Sequence, residues 1–219
     1  MIKLKVAIIL PVYNCLEHLP TMIKTLYEST QFPFKLIVVD GFSDDGTYEY
    51  CKNLKKDNIE LYQIPKKGLV NAINFGIKKA GKLDIYLTQS DVIHYKLYKL
   101  DWLKIMYNIA QKENVGMVIG RSGGGQTNNE FISGFAWAGT WATYIPRKTF
   151  DKIGLFDEQF YGADDVDFSY RVYKAKLKLA MIDYWVHHHQ QTERNDTHKS
   201  EHLKKMYKLL RAKWQIKNE

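Results

Sequence analysis

This 219-residue chain has no long apolar run and few cysteines. No stretch approaches the ~20 residues that carry a helix across a bilayer, which argues against a membrane-spanning enzyme. Cys15 and Cys51 allow one bridge at most, so no disulfide framework holds the fold and buried thiols in a reducing compartment are expected. Arginine is scarce too: Arg121, Arg147, Arg171, Arg194 and Arg211 stand beside 27 lysines. Base-specific readout of nucleic acid relies on the planar guanidinium, and single-strand binding on aromatics interleaved with arginine; neither pattern is present. The net charge of +8 therefore indicates diffuse attraction to anionic partners and names none of them.

With 45% hydrophobic residues, a chain of this length buries roughly 70% of its unfolded surface, enough for one core and no second catalytic domain. The basic and apolar opening, Met1 to Leu10, is too short for a signal peptide and is closed by Pro11. A buried strand and a cytoplasmic location are expected.

Apolar runs and helical stretches then alternate. Strands are predicted at 6–10, 36–39, 59–64 and 84–88, with helices at 19–27, 47–55 and 70–79 between them. This βαβαβαβ order predicts an α/β domain with a parallel sheet, whose ligands gather at the strands' C-terminal edge. The second half reads as a helix at 100–112, a short strand at 116–119, a Gly-rich loop at 121–129 and a Trp-rich extended segment at 136–145. A helix opening at Asp164 and a strand at 179–186, followed by His187-His188-His189, complete it.

Asp40 and Asp91 each end a predicted strand, and Asp164, Asp165 and Asp167 open a helix. A lone aspartate there is usually a turn former or helix cap. Two on parallel strands, with a third acidic cluster and a histidine triplet, point to a ligand site instead. Other motifs fail on context. Gly76 to Lys82 lacks the Ser or Thr of a P-loop and lies after a helix instead of before one. His198 and His202 have no third zinc ligand, and the sequon at Asn195 is of no use in the cytoplasm.

Four segments together resemble family 2 glycosyltransferases of the GT-A fold. They are Pro11-Val12-Tyr13-Asn14, the turn Asp40-Gly41-Phe42-Ser43-Asp44-Asp45-Gly46-Thr47, the helix Lys67-Gly68 to Gly76-Ile77, and Ile153 to Glu158 followed by Asp164, Asp165, Asp167 and Arg171. The resemblance covers about residues 6–190. It implies an inverting transfer of one sugar from a UDP-, GDP- or dTDP-sugar to an acceptor hydroxyl on a glycan, lipid-linked or protein-linked saccharide. Pro11, Val12, Tyr13, Asn14 and Asp40 would hold the nucleotide, Tyr13 against the base and Asp40 accepting a base N–H. Lys67, Gly68, Asn71, Asn74, Gln89 and Ser90 would complete the donor site.

Asp91 would bind Mn²⁺ or Mg²⁺ bridging the diphosphate, with His188, then His187, as a second ligand. Here the family's Asp-x-Asp reads Gln89-Ser90-Asp91, so a weaker metal site is expected. Asp165 would be the general base, with Asp164 hydrogen-bonding the acceptor and Asp167 stabilising the helix start. Trp137 and Trp141 are either an acceptor platform or core residues, and the Gly123-Gly124-Gly125 loop either folds over the donor or is plain surface.

The division expected is 1–194 as the catalytic domain (1–91 donor half, 92–194 acceptor half) and 195–219 as a basic amphipathic helix. That tail carries seven Lys or Arg against three acids and an apolar stripe of Leu203, Met206, Tyr207, Leu210 and Trp214. The stripe packs on its own domain or docks on an anionic membrane surface. Rival readings are a nucleotide-sugar-binding module that has lost turnover, and a nucleotidyltransferase, for which the phosphate loop is missing.

Overall fold

The alternating apolar runs of the first half build one parallel sheet. The computed structural model describes residues 4–65, 68–97, 100–122, 137–188 and 197–215. β1 (Val6–Val12), β2 (Phe34–Asp40), β3 (Ile59–Gln63) and β4 (Asp84–Thr88) lie parallel in the order β3-β2-β1-β4. α1 (Leu19–Ser29), α2 (Thr47–Lys52) and α3 (Leu69–Lys79) connect them. Each central strand is apolar on both faces because helices cover both. α3 approaches β1 closely at Gly76, where a Cβ would stand 2.6 Å from Ile9 Cγ2.

The second half adds β5 (Val92–His94), α4 (Trp102–Ala110), β6 (Val115–Ser122), β7 (Ala142–Ile145), α5 (Arg147–Ile153), α6 (Asp164–Lys174), β8 (Lys178–His188) and α7 (Thr197–Trp214). The sheet continues β4-β7-β6-β8-β5, with β7 antiparallel to both neighbours and β5 antiparallel to β8. The other six strands run the same way, so their C-terminal ends share one edge.

β4 and α6 have the bounds read from sequence, while β5 and α5 were not foreseen. β6 continues past the expected end at 119 because Gly120 lets β8 come close: a Cβ there would stand 2.9 Å from the Tyr184 carbonyl oxygen. Among the described residues of the Trp-rich segment, the strand is β7.

Two cores lie on opposite faces of the sheet. One gathers Ile8, Leu10, Leu26, Tyr86, Trp102 and Tyr184 under α1 and α4; the other gathers Ile9, Ile37, Ile73, Leu87, Phe150 and Phe168 under α3, α5 and α6. A third, small cluster seats α7. Its Met206 and Leu210 pack on Phe160, Ala163 and Val166, with Tyr207 and Trp214 alongside. Met206, Tyr207, Leu210 and Trp214 of the tail's apolar stripe thus pack on the domain itself. Among the described residues no helix is long and apolar enough to cross a membrane.

Leu210 is 1% exposed. Leu210→Ala is expected to lower stability by about 2–4 kcal/mol, read as a drop in the urea unfolding midpoint. An unchanged midpoint would mean that α7 is not docked as described.

Candidate active site

Two loops at the shared edge are laced together. Asn14, left-handed at φ 45°, donates from its backbone N–H to Ser43 Oγ (3.0 Å) and from Nδ2 to Asp44 Oδ1 (2.7 Å). The Asp44 N–H returns a bond to Asn14 Oδ1 (3.0 Å). The Cys15 N–H donates to Thr47 Oγ1 and the Leu16 N–H to Asp45 Oδ2, both at 3.0 Å. The Asp-x-x-Ser-x-Asp-x-Thr pattern is therefore a fastening between the ends of β1 and β2.

Asp40 lies at the centre of this fastening, fully buried, accepting from the Ser43 backbone N–H (3.2 Å), the Ser43 hydroxyl and Gln63 Nε2 (3.0 Å). Its carboxylate holds the loop in place. Val12 points into the core because β1 runs on past Leu10, so its side chain is not available to a nucleotide. Pro11 is half-buried opposite Val39. Tyr13 is exposed, and its ring rests on Gly41, where a Cβ would be 3.3 Å from Tyr13 Cδ2. Beside it stands a residue sequence reasoning missed. Phe42 is 58% exposed at φ 60°, a left-handed conformation that non-glycine residues rarely adopt. Its place inside the Asp40 turn was the only hint.

Gly68 opens α3 beneath the exposed Tyr161 ring, which brings the segment before α6 to the start of α3. Asn71 and Asn74, expected at the donor, face the acceptor-side segment. Asn74 is buried; its Nδ2 donates to the Phe156 carbonyl (2.9 Å) and its Oδ1 accepts the Phe156 N–H (3.1 Å). Both asparagines also donate to the Glu158 carboxylate, Asn71 at 3.4 Å and Asn74 at 3.2 Å. Lys67 lies outside the described residues.

At the end of β4, Gln89 Nε2 donates to Thr140 Oγ1 (3.2 Å), and the Ser90 side chain meets the Cys15 thiol. Burial pushes that thiol up. Asp91 is half-buried just ahead of β5, which sets Val92 opposite His188 and Ile93 opposite His187. The backbone thus brings the Asp91 corner to the histidine corner. His94 is not a further ligand: it bonds Thr88 Oγ1 (3.1 Å) and Tyr184 Oη (2.9 Å), and burial lowers its pKa to about 3. Among the described residues no three His, Cys, Asp or Glu side chains cluster as a metal site. A carboxylate and an imidazole, the groups that Asp91 and His187 carry, are donor types that a hard divalent ion accepts.

The acidic pair opens α6. Asp164 is buried, and its Oδ1 accepts the Gly162 N–H (3.1 Å). Burial, with Asp167 adding like charge, raises its pKa to about 6. Burial and then the neighbouring Asp164 push the half-buried Asp165 carboxyl up from its ordinary value. Asp167, expected to stabilise the helix start, is wholly buried and bonds instead to Arg171, Lys213 and Trp214. Trp137 and Trp141 are half-buried with rings perpendicular at 6.2 Å, one against the α7 cluster and the other against the α1–α4 core. The Gly123-Gly124-Gly125 loop, Gly134 and His189 lie outside the described residues.

The sequence model described as glycosyl transferase family 2 matches residues 7–178, most of the chain. The chain belongs to glycosyltransferase family 2.

Among its relatives are an uncharacterised glycosyltransferase of Rickettsia bellii, 33% identical over 104 residues, and the O-antigen chain rhamnosyltransferase RfbN of Salmonella typhimurium, 31% identical over 94. These matches cover 47% and 41% of this glycosyltransferase, but 15% and 29% of those proteins. Its fold is that of the mannosyltransferase of Pyrobaculum calidifontis, solved with GDP-Man and Mn²⁺ (TM-score 0.75, 17% identity, 98% of this chain and 65% of that one). S. aureus TarS 1–349, solved with UDP-GlcNAc, shares it (TM-score 0.72, 16% identity, 99% and 68%). The domain is a GT-A fold.

A carboxylate whose pKa is raised on folding holds a proton that the unfolded chain releases. It therefore costs stability as pH rises from about 4 to about 6 and above. Asp164→Asn is expected to stabilise the fold at pH 8 by on the order of 1–3 kcal/mol and to gain nothing at about pH 4. Urea unfolding at both pH values checks this; an equal change at both would assign the effect to packing.

Proposed function

We propose that this glycosyltransferase inverts configuration as it moves one sugar from a nucleoside diphosphate sugar to an acceptor hydroxyl, with Asp165 as general base. The observation that supports the reading is the Asp164–Asp165 pair of raised basicity at the start of α6, three residues beyond Tyr161, whose ring lies over Gly68 at the start of α3. A basic carboxylate held in place is a good proton acceptor during in-line attack. Asp164 would orient the acceptor. Tyr13 and Phe42 offer exposed rings to a nucleobase, with Asn14 and Asp40 holding the loops that carry them. Pro11, Lys67, Gly68, Gln89 and Ser90 would line the donor. Asn71 and Asn74 would act at one remove, as a clamp on residues 156–158.

Asp91, with His188 or His187, would hold Mn²⁺ or Mg²⁺. The ion would offset charge growing on the diphosphate leaving group. The Pyrobaculum and TarS structures, solved with GDP-Man and Mn²⁺ and with UDP-GlcNAc, support this donor class. The acceptor proposed is a saccharide, free or lipid- or protein-linked. The second reading, a binding module without turnover, draws on Gln89, whose amide is spent on Thr140.

Thermal-shift measurements with UDP, GDP, dTDP and their sugars, with and without Mn²⁺, test the donor site. Stabilisation by one nucleotide, strengthened by metal, is expected; no response anywhere would overturn the donor reading. Asp165→Asn is expected to lower turnover of the stabilising sugar nucleotide at least about 100-fold and leave its affinity within a few-fold. Undiminished turnover would remove Asp165 from the role. Binding without any turnover in the unsubstituted chain would favour the module.

A further inference from the structure

Asp167 needs a different explanation from the one its motif suggests. It sits in the first turn of α6, two residues beyond Asp165, and no part of it reaches solvent. A buried carboxylate is costly unless it is paired and hydrogen-bonded. Arg171 Nε supplies one bond from the next turn of the helix (2.9 Å). The others come from the far end of the chain: Lys213 Nζ at 2.7 Å and Trp214 Nε1 at 3.0 Å, both on Oδ1. Lys213 Nζ also reaches Asp157 Oδ2 at 2.9 Å and, against the cost of burial, holds that carboxyl below its ordinary range. His202 Nε2 lies 2.7 Å from the Tyr161 carbonyl oxygen, and α7 is seated by Met206 and Leu210.

We infer that the Lys213–Trp214 end of α7 is a latch on Asp167 that positions the Asp164–Asp165 pair and sets the charge around it, so that α7 belongs to the catalytic apparatus. This rests on the reading of Asp165 as base. Lys213 and Trp214 are positioning residues: they touch Asp167, whose charge in turn bears on Asp164. Among the described residues, the charged and titratable groups around this turn are Asp164, Asp165, Tyr170 and Arg171 on α6, Asp157 before it, and Lys213 and Tyr207 on α7. The Tyr207 phenol is raised by burial and then by Asp165, which puts α7 within electrostatic reach of the base itself.

The two sides of the latch make opposite predictions. Lys213→Met leaves Asp167 less compensated and should raise the apparent midpoint at which the Asp164–Asp165 pair titrates. Asp167→Asn removes the charge and should lower it. Shifts of about 0.5 pH unit or more are expected. Lys213→Arg should keep the unsubstituted midpoint. A purely structural role would loosen α7 in both variants and move the pair the same way, or not at all.

The measurement is a ¹³C-carboxyl NMR titration of the full chain, with urea midpoints to confirm folding. Lys213→Gln carries the same test should Lys213→Met not fold. Shifts of opposite sign support the latch; shifts of one sign, or none, overturn it. The pH profile of nucleoside diphosphate release from UDP-GlcNAc and GDP-mannose should move with the NMR midpoint. If the unsubstituted chain turns over neither sugar, the NMR result still decides the latch, while the catalytic reading fails on its own.

Discussion

The arrangement depends on keeping like charges together. Asp157, Glu158, Asp164, Asp165 and Asp167 fall within eleven residues, and Asp164 and Asp167 are buried. Unaided, they would repel and seek solvent. The partial positive charge at the start of α6 favours three of them. Arg171 and Lys213 supply full charges, and Asn71 and Asn74 supply neutral donors to Glu158. Every one of these partners belongs to a helix that must then lie against the 156–167 segment. The placement of α3, α6 and α7 around one short stretch follows from that need.

The parallel core was legible because strands covered on both faces read as unbroken apolar runs, and β4 was placed to the residue. α6 was legible from its acidic start, which suits a helix N-terminus. What the sequence hid was short or glycine-marked. β5 is three residues directly after Asp91, with no turn chemistry to announce it. α5 is seven residues behind Pro146. Gly120 reads as a loop residue until the approach of Tyr184 explains it. At the site, residue type alone could not separate a ligand contact from a clamp. Asn74 and a donor-binding asparagine look the same in sequence, and only its pairing with Phe156 tells them apart. Asp40 likewise carries a family pattern while serving as the buried centre of a loop fastening. The Asp167 latch was the least legible, since it joins positions 46 residues apart.

The charge of the chain also divides by place. The tail's basic residues suggested a membrane or polyanion surface, yet Lys213 is spent on Asp157 and Asp167, and the apolar stripe is spent on Phe160, Ala163 and Val166. Meanwhile Asp91 stands just past the end of β4, at the shared strand edge. A diphosphate entering beside it would meet a like charge, which a divalent ion travelling with it would offset. A positively charged protein can thus place a carboxylate where its strands end.

The segment from Phe156 to Asp164 now has a mechanical role. One end is tied to α3 by Asn74 and Asn71, its middle carries Tyr161 over Gly68 and under His202, and the helix it leads into is gripped by Lys213. α3 begins beside the strand ends, whereas Asp165 stands at the opposite side of the same segment. Ties at both ends leave little slack between them, because close-packed interiors transmit displacement instead of absorbing it. The start of α3 and the start of α6 are thus joined by packed and hydrogen-bonded side chains of one short segment.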